Sequence, residues 1–189
     1  MTSANYDLGY LNAAVNLLQE YLLSDEIYWQ LNVSSPSGEP AYPSLTLGGL
    51  LLAQARTQAR QLSPDQQVQQ TQLLQKIDQL KTKWRSAWGK KSKKEFHARL
   101  NLWRDFLDDY RRNPYDNVDR YAYEVTRRVM LHLLESEIDE IPQSESILLS
   151  GLDGILAGLL TTGEFIWDEE LASGFPRGEY PYLYGNLEG

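Results

Sequence analysis

The chain has 189 residues, a net charge of −8, 42% hydrophobic and 23% charged residues, as an ordinary single globular domain does. It has no Cys, which excludes disulfides, thiolate metal sites and cysteine nucleophiles. Five Trp and twelve Tyr are too many large rings for a disordered chain.

Leu, Gln, Arg and Ala are abundant, while Ile, Val and Thr are sparse and do not alternate with polar residues. That pattern predicts an all-α fold, a bundle of about six helices. The first helix is expected over Asp7 to Leu23, where Leu8, Leu11, Val15, Leu18 and Leu22 recur at three- and four-residue steps. Ser24-Asp25-Glu26 predicts the cap of a short second helix through Leu31. Residues 32–43, NVSSPSGEPAYP, read as a loop. A third helix is expected from Ser44 or Thr46 to about Leu62.

Ser63-Pro64-Asp65-Gln66 is a strong helix start, with Ser63 as cap, Pro64 in the first turn and Gln66 closing a capping box. The helix it opens carries Val68, Leu73, Leu74, Ile77, Leu80, Trp84 and Trp88, and Gly89 is expected to interrupt it. Ser92 and Glu95 then read as a second capping box, opening a helix that Asn113-Pro114 ends. These two helices are expected to form a long antiparallel hairpin over residues 64–112.

Another helix is expected from Val118 to Glu137, and a last one from Ser144 to Thr162 capped by Gly163. Gly151, Gly154 and Gly158 suggest close packing against a neighbour. The apolar stretch from Ile147 to Leu160 contains Asp153 and is shorter than the ~20 residues that span a bilayer. No membrane partner is therefore expected. Nor does MTSANYDLGY resemble a secretory signal; with the lack of Cys, a cytoplasmic location is the expectation. Residues 1–163 thus read as a helical domain. Residues 164–189, rich in Gly, Pro and rings, read as an irregular tail lying on that domain or on a partner.

Charge is segregated. Between Lys76 and Arg104, ten Lys and Arg face only Asp78 and Glu95. From Glu135 onward, twelve acidic residues face only Arg177. Protein–protein contact is the function these features suggest, through Trp84, Trp88, Lys90, Lys91, Lys93 and Lys94, with Trp167 and Tyr182 from the tail second. The acidic third is a natural counterpart of the basic segment, within one molecule or across a dimer. Segment 81–94 also fits nucleic acid, cations neutralising phosphates and Trp stacking on bases.

A third possibility is a metal-dependent nucleotide phosphohydrolase built on Asp105, Asp109, Glu137 and Glu140. No cofactor is expected. His132 and Glu135 lie three apart, a single weak ligand pair read as a hydrogen-bonded histidine at the edge of the core. No Gly-x-Ser-x-Gly elbow and no Gly-Lys-Ser/Thr phosphate loop is present. Tyr115 to Asp119 lacks the ligand spacing of a calcium loop and reads as a helix cap.

Overall fold

The computed structural model describes residues 2–189. The fold is mostly α: helices α1 (Ala4–Leu23), α2 (Leu47–Ala59), α3 (Pro64–Lys83), α4 (Arg85–Arg112), α5 (Pro114–Asn117), α6 (Tyr121–Glu135) and α7 (Gln143–Leu159). Strands β1 (Leu160–Phe165) and β2 (Tyr184–Leu187) form a small antiparallel sheet.

The leucine stripe of α1 is buried as its spacing predicts, with Leu8, Leu11, Leu18 and Leu22 in the core and Val15 at its edge. The capping box of α3 also forms: Ser63 N–H donates to Gln66 Oε1 (2.9 Å), and Gln66 N–H donates to Ser63 Oγ (3.4 Å). Thr46 caps α2 by accepting from Gly49 N–H at 2.9 Å.

No helix forms over residues 24–31. Ser24 completes α1, its Oγ donating to the Tyr21 carbonyl at 2.8 Å, and the chain then extends. Trp29 and Leu45 exchange backbone hydrogen bonds at 3.0 and 2.7 Å. One short segment with few good helix formers gains less from a helical turn than from this cross-chain pairing.

The break between α3 and α4 falls at Trp84, not at Gly89. Trp84 N–H still donates to the Leu80 carbonyl, and its own carbonyl accepts from Trp88 N–H, both at 2.9 Å. Its φ of −115° and ψ of 33° bend the axis within one residue. Gly89 lies inside α4, where an added Cβ would meet nothing within 4 Å. α3 packs along α1 in the same direction: Gln66 hydrogen-bonds Asn5 near the two starts, and Trp84 lines one hollow with Leu22 and Leu23 at the two ends. The expected projecting hairpin is therefore replaced by a bend around the C-terminus of α1.

The Ser92–Glu95 capping box is absent because α4 is already running there. Ser92 Oγ donates to the Trp88 carbonyl (3.0 Å). Glu95 is fully buried and caps a different helix, its Oε1 accepting from Gly48 N–H (3.0 Å) at the start of α2 and from Arg99 Nε (2.6 Å). Gly48 permits this approach, since a Cβ would lie 2.7 Å from that oxygen.

α4 and α6 pack together through Trp103, Phe106 and Tyr121, whose rings stack at centroid distances of 5.6 and 6.5 Å. α7 stops at Leu159, three residues early. Thr161 and Thr162 enter β1 opposite Asn186 and Gly185, where β-branched residues fit well. Gly185 is required there, because a Cβ would come within 2.3 Å of the Thr161 carbonyl oxygen. Gly151, Gly154 and Gly158 face open space, with nothing within 4 Å of an added Cβ. They mark a thin solvent face, not the close packing their spacing suggests. The tail buries Leu171, Phe175, Tyr180 and Leu183 against the helices, and Tyr121 Oη donates to the Tyr182 carbonyl at 2.6 Å.

Candidate functional site

The bend at Trp84 places the middle of the basic segment beside the end of α1. Leu22, Leu23, Trp84 and Ala87 form the apolar floor of a hollow of about 410 Å³, and Lys90, Lys91 and Lys94 stand around it. Leu23 is 55% exposed, so part of this floor is open to a partner. Lys83 holds its ammonium 5.3 Å from the centre of the Trp84 ring, within cation–π range. The indole Nε1 of Trp84 is buried without a hydrogen-bond partner.

The six residues expected to act together from this segment divide into two sets. Lys90, Lys93 and Lys94 are exposed. Lys94 reaches the Asp25 carbonyl, and Lys90 and Lys93 make no ion pair among the described residues, as is also true of Lys83 and Arg85. Trp84 is half-buried beside them.

Lys91 and Trp88 are structural instead. Lys91 is 4% exposed, and its Nζ donates to the carbonyls of Ser24 and Glu26, each at 2.6 Å. A cation just past the C-terminus of α1 satisfies carbonyls of the chain as it leaves the helix and complements the helix dipole. Burial, then neighbouring Lys94, hold its ammonium below the usual lysine range. Trp88 is 2% exposed, with Nε1 donating to Glu137 Oε2 at 2.8 Å. Its ring is closed to partners and to bases alike.

The tail residues are also removed from this surface. Trp167 is buried near Phe165 and Phe175, with Arg56 5.1 Å from its ring centre. Tyr182 is buried beneath Arg128, whose guanidinium lies 4.8 Å from its ring centre. Both rings lie in the tail's packing on the body, away from this hollow, so neither is a surface contact of it.

The acidic third leaves most of the basic rim uncovered. Glu145 pairs with His97 at 2.7 Å, Asp153 with Arg128 at 2.8 Å and Glu170 with Arg60 at 2.7 Å. Among the described residues, the one ion pair from the acidic third to the segment is Glu137 to Lys81 (2.5 Å).

The carboxylates of a metal site do not converge. Asp105 pairs with Arg104 at 2.8 Å and Asp109 with Arg120 at 3.9 Å, both on the exposed side of α4. Glu137 is bound to Lys81 and Trp88, and Trp88 lies seventeen residues before Asp105 on α4, roughly 25 Å at the helical rise. Glu140 is exposed beyond the end of α6. The phosphohydrolase expectation is set aside on this geometry.

A second concentration of charge lies inside the bundle, where composition gives no warning of it. Asp7 is buried between Arg60, which bonds it directly, and Arg56 at 3.9 Å. Burial raises its carboxyl above the usual aspartate range, and the two guanidinium groups oppose that rise. Beside it, Arg99 links Glu95 to Thr46 Oγ1 at 2.8 Å. Tyr6 and Tyr10 donate to the Ala41 and Ser44 carbonyls, each at 3.3 Å, tying the proline-rich loop to α1. The one sequence signal was Asp7 next to the leucine stripe. Glu95 and Arg99, four apart, read equally well as a solvated pair.

Comparison with known proteins brought no family model, no curated protein and no solved structure that matches the chain.

Proposed function

We propose that this protein acts by protein–protein contact, and that the hollow at the α3–α4 bend receives an acidic segment or surface of its partner. The carrying observation is an apolar floor of Leu22, Leu23, Trp84 and Ala87 rimmed by exposed Lys90 and Lys94, which make no ion pair among the described residues. A ring at the centre with polar groups outside it is the usual anatomy of an interface hot spot. The rim supplies orientation and encounter rate more than affinity.

A protein partner is favoured over nucleic acid for two reasons. Trp88 is closed to stacking, which halves the aromatic content of the segment. The net charge of −8 also repels a polyanion outside this patch.

The test combines the mass of the purified protein in solution with affinity capture of partners. Both are run on the wild type and on the triple variant Lys90→Glu, Lys93→Glu, Lys94→Glu. Capture of a defined protein, or self-association, that the triple variant loses supports the reading. A monomeric mass with no captured protein sinks it. So does a bound single-stranded oligonucleotide whose affinity falls steeply with salt, which assigns the same face to nucleic acid.

A further inference from the structure

A second cavity, of about 420 Å³, opens between α6, α7 and the tail, far from the lysine rim in both residues and chemistry. This volume lies within the range of small-molecule sites, which are mostly apolar with a few placed polar groups. Leu156, Ala157, Leu160 and Pro181 supply apolar wall, and Tyr182 and Tyr184 supply rings.

The polar groups of the wall are incompletely used. Arg128 is 7% exposed and binds Asp153 in a fork, Nε to Oδ1 and Nη2 to Oδ2, both at 2.8 Å. Its third nitrogen, Nη1, is buried with no hydrogen-bond partner among the described residues. Tyr182 is 4% exposed, and its hydroxyl is likewise buried with no partner. Two buried polar groups left unmatched in one wall are costly, and what both can supply is a hydrogen to an acceptor. Arg177 stands at the same cavity with its guanidinium 4.8 Å from the centre of the Tyr184 ring. It donates to the Gly163 carbonyl at 2.9 Å through Nη2, its one hydrogen bond among the described residues.

The cavity's charge sets the class of acceptor. Arg128 and Arg177 are balanced by Asp153 and Glu179. A dianion would meet two carboxylates, while a single negative charge placed between the arginines would not be repelled on balance. We propose that this cavity binds a small organic monocarboxylate. Arg177 faces its charge, a small turn of the Arg128 and Tyr182 side chains brings their donors, closed to solvent as they stand, onto its carboxylate, and its hydrocarbon or ring lies on Leu156, Leu160 and Pro181.

The experiment uses the full chain and 3-phenylpropionate, followed by calorimetry and by amide NMR shifts. The comparison probes are 3-phenylpropan-1-ol, which lacks the charge, and phenyl phosphate, which carries two. The variants are Tyr182→Phe and Arg177→Gln. Tyr182→Phe removes only a hydroxyl that has no partner, so the unliganded fold keeps its melting temperature or gains slightly. The expected result is binding of 3-phenylpropionate with Kd at or below about 1 mM, shifts at residues 156–162 and 177–184, and at least tenfold weaker binding of both comparison probes. Each variant weakens 3-phenylpropionate by about fivefold or more, the size of one lost hydrogen bond. The proposal is overturned by no binding up to about 10 mM, by equal binding of the alcohol or the phosphate, or by variants that bind as the wild type does.

Discussion

The lysines at the α3–α4 bend and the arginines around Asp7 and Glu95 are the same kind of residue put to opposite uses. At the bend, Lys90 and Lys93 stand in solvent with no ion-pair partner among the described residues, where a charge costs little and contributes little to stability. Around Asp7 and Glu95, Arg60 and Arg99 are stripped of water and each is matched by a carboxylate and a second acceptor. A buried charge must be answered inside the molecule, and an exposed one is free to answer a charge elsewhere. Lys91 stands between the two: it belongs to the basic segment in sequence and to the interior in space.

The sharpest way to break that contrast is at Glu95. Glu95→Ala removes the acceptor of Arg99 and of the α2 N-terminus together, and is expected to cost about 3–5 kcal/mol, read from urea unfolding. A loss below about 1 kcal/mol would mean that the interior pair is no more structural than a surface pair. Next is Lys91→Ala, which leaves the Ser24 and Glu26 carbonyls without their donor. It is expected to lose about 1–3 kcal/mol, while Lys90→Ala on the same helix stays within about 0.5 kcal/mol. Equal effects would erase the distinction between them.

Gly89 sharpens the comparison from the backbone side. If α4 runs unbroken through the basic face, Gly89→Ala stabilises by about 0.5–1 kcal/mol, because the added methyl meets nothing. A destabilised protein would put the joint back at Gly89.

The smallest effect concerns His132, which packs on Tyr180 with ring centroids 4.7 Å apart. Burial first, then Arg128, hold its imidazole below the ordinary value of 6.5. The unfolded chain therefore takes up that proton first. The stability carried by the neutral ring is full above about pH 6.5 and is lost as pH falls toward the lower folded value. A ring-proton NMR titration should give a midpoint below that of the free side chain, and His132→Gln should flatten the stability slope between about pH 5 and 7. A midpoint at or above the free value would contradict the placement of His132 beside Arg128.

Where sequence reading succeeded and failed follows one rule. The leucine stripe of α1 and the Ser63–Gln66 box depend on steps of three or four residues within one helix, and both stand in the structure as their spacing predicts. Ser92 and Glu95 carry the same local signature as Ser63 and Gln66, yet Glu95 caps α2, 47 residues away. Both uses satisfy a helix start, and only the arrival of α2 decides between them. Trp84 and Trp88, four apart on a lysine-rich run, looked equivalent. Glu137, just past α6, and Lys81 of α3 close over Trp88, and Trp84 is left at the rim. Of the residues expected at the interface, Lys90, Lys93 and Lys94 are exposed, as their charge predicts. Trp167 and Tyr182 needed to stay outside the core, and large rings seldom do when a helix face is within reach.

The amino-acid order alone determined that helices would form, where most of them start, and that positive and negative charge would sit in different stretches of chain. These follow from local hydrogen bonding, backbone preference and composition, which act over a few residues. Tertiary structure alone decided which charges are buried and paired, which lysines remain available, and how the tail closes a cavity with unmatched donors. Burial is a property of elements brought together across the chain, and the desolvation it imposes has no counterpart in any short stretch of sequence.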